Sequence, residues 1–493
     1  MPVIDTSTLQ EGVVLPENEQ IYNGLDCCIT HEVLDAIREI GPAPSIYNFT
    51  RALQAPVMDM MRRGFLVDSY ERQKGIETLT VEIDRLTALL NKFSYAFWDR
   101  PLKANSPKML QEFFFGEMKI PEIWTSKKGE RKLSMDREAL EKLDNYFHAR
   151  PFVATILAIR DAVKQLSVLK TEIDSDGRMR TSYNVAGTET GRFSSSTNAF
   201  GTGTNLQNIT AGLRTMFISD PGYKICGIDL EQAESREVGW LSGTICGDWS
   251  YLDACYSGDL HTLVARTAWP HLDWNGDAKH DRRIADTPFY RNLTYRDLAK
   301  KLGHGSNYRG LPPTMARHAK LPVAVAEQFQ RNYFDQFPGI PKWHRWVAQQ
   351  LQTTHRLVTP FGRERTFFGR ANDDTTLREA IAFSPQSATA DRLNLILWRV
   401  WYYMPEVQLI AQVHDALYFQ YPEHLDEQDV ISRALSHFHI EFESDGHKLV
   451  VPGEAKVGWN WGNFDPNSNP DGLAKWKGKK DERTRTPLLS QKL

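Results

Sequence analysis

Two apolar runs far apart in the chain each carry an aspartate to the end of a strand, and this pairing constrains the fold more than any other feature. Lys224 to Ile228 reads as a strand ending at Asp229, and Glu231 to Ser242 follows as a helix. Val407 to Val413 and Ala416 to Tyr421 read as strands joined tightly through His414 and Asp415, a hairpin with an acid at its tip. Taken singly, an aspartate at a strand end is an ordinary turn residue or helix cap. If the two strands are neighbours, the acids can share two magnesium ions about 3.5–4 Å apart, the arrangement for in-line phosphoryl transfer.

Between the acids lies RDLAKKLGHGSNYRG, whose four-residue steps place Arg296, Lys300 and His304 along one stripe of a helix that Gly310, Pro312 and Pro313 stop. A basic stripe is commonly a solvated face. Here Gly303, Gly305 and Ser306 leave room for a flat ligand, and two cations four residues apart can clamp a triphosphate.

The rest of the chain organises around these segments. A helix is predicted over Tyr22 to Ile40 and a short one over Val57 to Arg63, ended by Gly64. Ile76, Leu79, Ile83, Leu86, Leu90 and Phe93 recur at helical spacing and open a mostly helical region running to about Asp174. Residues 181–222 are rich in Gly, Ser, Thr and Asn, which suits close backbone approach to a ligand more than core packing. Helical patterns dominate again from Tyr251 to about Gln352. No apolar run is long enough to span a bilayer, and the start, with Asp5 and Glu11, lacks the features of a secretory signal, so a cytoplasmic protein is expected. The five cysteines form no C-x-x-C pair, which argues against a zinc site or disulfide framework. A net charge of −3 means that any nucleic-acid surface is a local basic groove. One local excess is the tail after Pro466, with Lys475, Lys477, Lys479, Lys480, Arg483 and Arg485; it reads as a disordered tail, with a phosphate-contacting arm as the alternative.

These motifs, in this order, resemble family A DNA polymerases, typified by bacterial DNA polymerase I. TGRFSSSTNAFGTGTNLQNI (Thr190 to Ile209) resembles a family signature interrupted by extra residues between Ser196 and Asn205. DLEQAESREVGWLSG (from Asp229) resembles the first catalytic motif, RDLAKKLGHGSNYRG the nucleotide-binding helix, and QVHDA (Gln412 to Ala416) the second catalytic motif. SGDLHT (from Ser257), PFGRER (from Pro360) and REAIAFSPQSATAD (from Arg378) fall in the same order. The resemblance extends from about Tyr22 to Phe464.

The resemblance implies an α+β right-hand polymerase with an antiparallel palm sheet, helical fingers and a helical thumb. The expected divisions are a stub at 1–50, thumb at 51–180, palm at 181–250 and 356–465, fingers at 251–355 and the tail at 466–493. It assigns Asp229 and Asp415, with the Leu230 carbonyl, to two Mg2+ ions, for which Mn2+ can substitute. Lys300 becomes the proton donor or charge partner of the leaving pyrophosphate and Arg296 a clamp on the outer phosphates. Gln232, Glu234, His304 and Tyr308 complete the nucleotide site, Glu234 shielding the 2′ position and Tyr308 stacking near the templating base. Arg192, Gln386 and His414 fall to the primer-template, and Asn205, Gln207, Arg214 and Arg378 to the same duplex tract. The implied partners are primer-template DNA, deoxynucleoside triphosphates and a separate exonuclease or processivity protein.

Departures from the family pattern bear on selectivity. Ala416 stands where an acid often follows the second aspartate, so only two carboxylates are expected. His304 replaces a Phe or Tyr and either hydrogen-bonds the sugar or fills space, Arg309 precedes the glycine that usually follows the tyrosine, and Ala382 replaces an Asn. Tyr22 and Asp26 keep the Y-x-x-x-D spacing of a proofreading exonuclease, yet too few residues precede them to supply its other carboxylates. This stub reads as a relic packed on the palm, a fragment boundary, or a dock for a separate nuclease. A single-subunit RNA polymerase is the enzymatic rival, disfavoured by Glu234; a non-catalytic DNA-binding descendant is disfavoured by the intact Asp229, Lys300 and Asp415. The texture of HGSNYRG suggests a viral replication enzyme working in a host cytoplasm.

Overall fold

The computed structural model describes residues 16–38, 41, 43–127, 130–197, 201–290 and 293–486. Expectations for residues 1–15, the helix end at 39–40, residues 198–200 and the tail end at 487–493 lie outside them.

Helix α1 (Pro16–Arg38) contains the stub motif and is exposed over nearly all of its described side chains, so it is not a relic packed on a core. Helix α2 (Ser69–Trp98) is longer than its apolar periodicity, because Asp68 caps it by accepting from the backbone N–H groups of Tyr70 and Glu71. It packs against α3 (Arg150–Leu169) over a core that includes Leu90, Phe113, Phe114, Phe152 and Ile156. Within this helical region a hairpin joins Trp124–Lys127 to Glu130–Leu133, which the helical periodicity around it conceals. The Gly/Ser-rich stretch that follows is loop-like, as expected, but it also forms core: Phe193, Leu206, Ile209 and Leu213 are buried.

Strand β1 (Tyr223–Leu230) is the centre of the molecule. Helix α4 (Ala233–Cys246) leaves its end, followed by α5 (Leu260–Ala268), α6 (Tyr295–Asn307) and α7 (Asp374–Tyr403). Strands β2 (Gln408–Val413) and β3 (Ala416–Pro422) form the expected hairpin, α8 (Glu427–Phe438) covers the sheet, and β4 (Gly453–Gly458) and β5 (Ala474–Lys475) complete it. The strand order is β2-β3-β1-β4-β5, antiparallel throughout. One face of β1 sends Cys226, Ile228 and Leu230 into a core shared with Leu397, Phe419 and Val430. The other sends Ile225 toward Phe217 and Trp461. Gly227 is required there, since a Cβ would lie 2.6 Å from the Tyr418 ring. Both faces being covered, β1 reads as a nearly continuous apolar run, and Asp229 emerges only at its end.

A separate helical core surrounds α5 and α6, with Leu298, Phe329, Tyr333 and Trp343 at its centre. Helix α6 starts on a capping box between Thr294 and Asp297. It buries Leu298, Ala299, Leu302 and Gly303, leaving Arg296 half-buried and Lys300 and His304 exposed along the opposite stripe.

The tail corrects an expectation: through residue 486 it is folded, not disordered. Arg483 donates to the carbonyl oxygens of Val457 (2.6 Å), Gly472 (2.8 Å) and Pro470 (3.0 Å). Asp481 meets the buried Lys224 ammonium at 3.3 Å, which Glu427 also contacts at 3.0 Å. Composition counted the lysines of this segment, whereas its order comes from one anchor, Trp476 against the sheet core, and one acid that a buried lysine needs. Among the described residues no helix is long and apolar enough to cross a membrane.

Candidate active site

The two aspartates meet as the strand pattern requires. Strands β1 and β3 pair with Asp229 opposite Ala416, and the Leu230 N–H donates to the Asp415 carbonyl oxygen at 3.0 Å. Asp415 is the second residue of a two-residue turn whose first, His414, takes a left-handed backbone (φ 54°) that a side chain disfavours. Gln232, at the start of α4, is left-handed as well (φ 54°), and its side-chain oxygen is buried without a hydrogen-bond partner. Backbone strain therefore sits on both sides of the acid pair, where a rigid sheet can sustain it.

Burial, followed by repulsion from Asp415, raises the Asp229 carboxyl from 3.8 to about 6. Burial also raises Asp415, partly offset by Arg192. Two carboxylates held above their usual range beside a backbone carbonyl form an oxygen donor set with excess negative charge. That set fits Mg2+, which takes one or two carboxylates and retains water. A third acid lies next to them: Glu454 on β4 pairs in register with Asp229. It is engaged by Lys475 (2.5 Å) and Lys456 (3.9 Å), and among the described residues no group of three or more His, Cys, Asp or Glu could hold a metal.

Two cavities meet at Asp415. One, of about 460 Å³, is lined by Asp415, Leu230, Gln232, Lys300, His304 and Gln386. The other, of about 420 Å³, is lined by Gln207, Asn208, Asn394, Gln412, His414 and Asp415. Arg192 and Glu234 line both, and their ion pair, joined by a hydrogen bond from the Tyr308 hydroxyl to Glu234, stands between them. Tyr308 and His304 also border an apolar recess on the far side of α6.

Other expected residues lie outside these two cavities. Arg296 is held by Asp259 through two hydrogen bonds (2.8 and 3.0 Å). Burial would raise the Asp259 carboxyl, but hydrogen bonds led by that from Arg296 hold it well below the usual range. Asn205 accepts a hydrogen bond from Ser195, Arg214 stacks over Trp461 at 4.6 Å, and Arg378 pairs with Asp374 at 3.2 Å. Arg309 is left-handed (φ 56°) and pairs with the same Asp374. Tyr22 and Asp26 lie on exposed α1.

Several site residues escaped sequence reasoning. His261 lines the larger cavity, and burial, helped by Arg296 and Lys300, lowers it to about 4, so its imidazole is neutral at ordinary pH. The SGDLHT motif contains it, but a lone histidine gives no signal of its surroundings. A buried amide relay runs from Gln412 to Asn394 (2.9 Å) and on to the Gly191 carbonyl (3.0 Å), fixing the loop that carries Arg192. Arg363 and Asp391 form a further ion pair at 2.7 Å. These partners are far apart in sequence, and only folding brings them together.

The comparisons agree with this architecture. The sequence model of DNA polymerase family A matches residues 73–463, so the chain belongs to that family. DNA polymerase I of Chloroflexus aurantiacus is 27% identical over 479 residues, covering 90% of this chain and 46% of that protein. The thermostable DNA polymerase I of Thermus aquaticus is 27% identical over 429 residues, covering 83% and 47%. The chain thus spans about half the length of these curated relatives. The solved "POL domain of Pol1 from M. smegmatis complex with DNA primer-template and dNTP" superposes with a TM-score of 0.66 at 25% identity, covering 83% of this chain and 69% of that one. The fold is the α+β right-hand polymerase fold.

Proposed function

We propose that this chain adds deoxynucleotides to a primer 3′ hydroxyl under template direction, releasing pyrophosphate. The observation that carries the reading is Asp229, paired in register with Ala416, brought beside Asp415, which lines two cavities, with Lys300 and His261 on the wall of one. The solved relative's primer-template and dNTP support assigning the smaller cavity to the primer end and the larger to the incoming nucleotide. Residues 51–180, 181–250 with 356–465, and 251–355 then act as thumb, palm and fingers.

Asp229, Asp415 and the Leu230 carbonyl would hold two Mg2+ ions, which when bound supply Lewis-acid activation of the hydroxyl and neutralise charge on the phosphates. Lys300 neutralises the departing pyrophosphate or gives it a proton, and neutral His261 hydrogen-bonds the same phosphates. Arg296, once released from Asp259, reaches the outer phosphates. Glu234 closes the 2′ side of the sugar, Gln232 supports it, and His304 faces the sugar beside Tyr308. Arg192, Gln207 and His414 contact the primer end, which Gln386 meets from the larger cavity, with Asn205, Arg214 and Arg378 along the duplex.

We also propose that the chain alone does not excise a mismatched 3′ end, because Tyr22 and Asp26 lie on an exposed helix with no sheet of partner acids around them among the described residues; a separate nuclease would supply that activity. Magnesium-dependent excision by the pure protein would overturn this. The test of the main reading is primer extension by Asp229→Ala and Asp415→Ala. Synthesis is expected to vanish while duplex binding persists, since basic side chains on phosphates dominate affinity. More than a few per cent residual synthesis in either variant would remove that aspartate from the chemistry.

A further inference from the structure

The family match ends at residue 463, yet the chain folds on through residue 486 and adds β5 to the edge of the sheet that bears Asp229. This added segment places a lysine cluster at the edge of that sheet. Asp229 pairs with Glu454 on β4, and Lys475 on β5 reaches Glu454 at 2.5 Å. The Trp476 N–H donates to the Ala455 carbonyl at 2.9 Å, its ring packs on the sheet core, and Gly478 turns the chain through a left-handed backbone (φ 77°). Lys477, Lys479 and Lys480 are then thrown outward, exposed and without an ion-pair partner among the described residues. Asp481, the next acid, is occupied by Lys224 and Arg483, leaving Glu482 to offset part of the charge.

Three like charges within four residues repel one another, and a clasp built from Arg483, Asp481 and Trp476 holds them in place instead of letting them disperse. The place matters as well. Neighbouring strands lie about 4.8 Å apart, so β5 lies about 10 Å across the sheet from β1, with Lys475 in line with Lys456 and Gly227 and with Asp481 bringing the loop back toward Lys224, at the end of β1 opposite Asp229.

We propose that residues 475–480 form a contact for the phosphodiester backbone at the edge of the sheet that bears Asp229, added to this chain outside the part that matches its family. The inference rests on the polymerase reading above. The experiment measures affinity of the full chain for primer-template duplex and for a single strand of equal length, across a salt series, in the wild type and in Lys477→Gln/Lys479→Gln/Lys480→Gln. Each lost phosphate contact lowers the slope of log affinity against log salt by about 0.9 on duplex and about 0.7 on single strand. The expected loss of two to three contacts flattens the duplex slope by about 2 and weakens binding at least tenfold at low salt. Flattening confined to duplex assigns the loop to the product, flattening confined to single strand assigns it to the template overhang, and either supports the contact. Lys479→Glu/Lys480→Glu, which leaves the Arg483 clasp intact, should weaken binding further. Unchanged affinity and slope on both substrates, in variants that unfold at the wild-type temperature, would overturn the proposal and leave the loop to an acidic protein partner. Failure of the wild-type chain to bind or extend a primer would instead refute the polymerase reading.

Discussion

Asp229→Asn should make the metal-free protein more stable while abolishing synthesis. Burial and Asp415 raise the Asp229 carboxyl from 3.8 to about 6. Taking an unfolded value near 3.9, the folded protein holds a proton that the unfolded chain has lost between about pH 4 and pH 6, and above pH 6 it carries a charge its surroundings disfavour. At 1.36 kcal/mol per tenfold the full shift corresponds to about 3 kcal/mol, and screening at the open mouth of the cleft reduces it to about 1–2 kcal/mol. The amide removes this cost. With an unfolding entropy of about 2.1 cal/mol/K per residue, the gain amounts to a Tm rise of about 1–2 °C. Thermal unfolding in chelator at pH 8 should show that rise, and at pH 3 the two proteins should converge, because there the wild-type carboxyl is largely protonated in both states. Magnesium should then raise the wild-type Tm and leave the variant's nearly unchanged. A variant no more stable than wild type at pH 8, or a gain that persists at pH 3, would refute the reasoning.

Because the acids must be ionised to bind a cation, the magnesium needed for half-maximal extension should rise several-fold between pH 8 and pH 5.5; a flat requirement would mean that Asp229 is not a ligand. Lys300→Ala should lower the single-turnover rate by about 10²–10³-fold with little change in primer-template affinity, and an equal loss of both would make the lysine structural. Glu234→Ala removes the partner of Arg192 and Tyr308 and should raise ribonucleotide incorporation, so unchanged sugar discrimination would place that barrier elsewhere. Arg483→Ala removes three backbone contacts of the tail and should expose residues 470–486 to protease at temperatures where the sheet remains folded; an unchanged cleavage pattern would show that the tail is held by other means.

Elements whose signal is local could be read along the chain. Apolar runs ending in Asp229 and Asp415 gave both strands, since a strand buried on its two faces leaves a continuous run and lets a polar residue emerge only at its end. The four-residue spacing of Arg296, Lys300 and His304 gave the exposed stripe of a helix whose other face is core, and the ordered motifs gave the family. Tertiary structure alone decided which partners these side chains meet. Arg296 meets Asp259, Gln412 reaches Gly191 through Asn394, and Glu454 lies across from Asp229, because each contact depends on strand order and helix packing that no spacing along the chain encodes. The tail shows the same limit: its lysines suggested disorder, and its order rests on Trp476 finding a core and Asp481 finding a buried lysine, both supplied by distant parts of the chain.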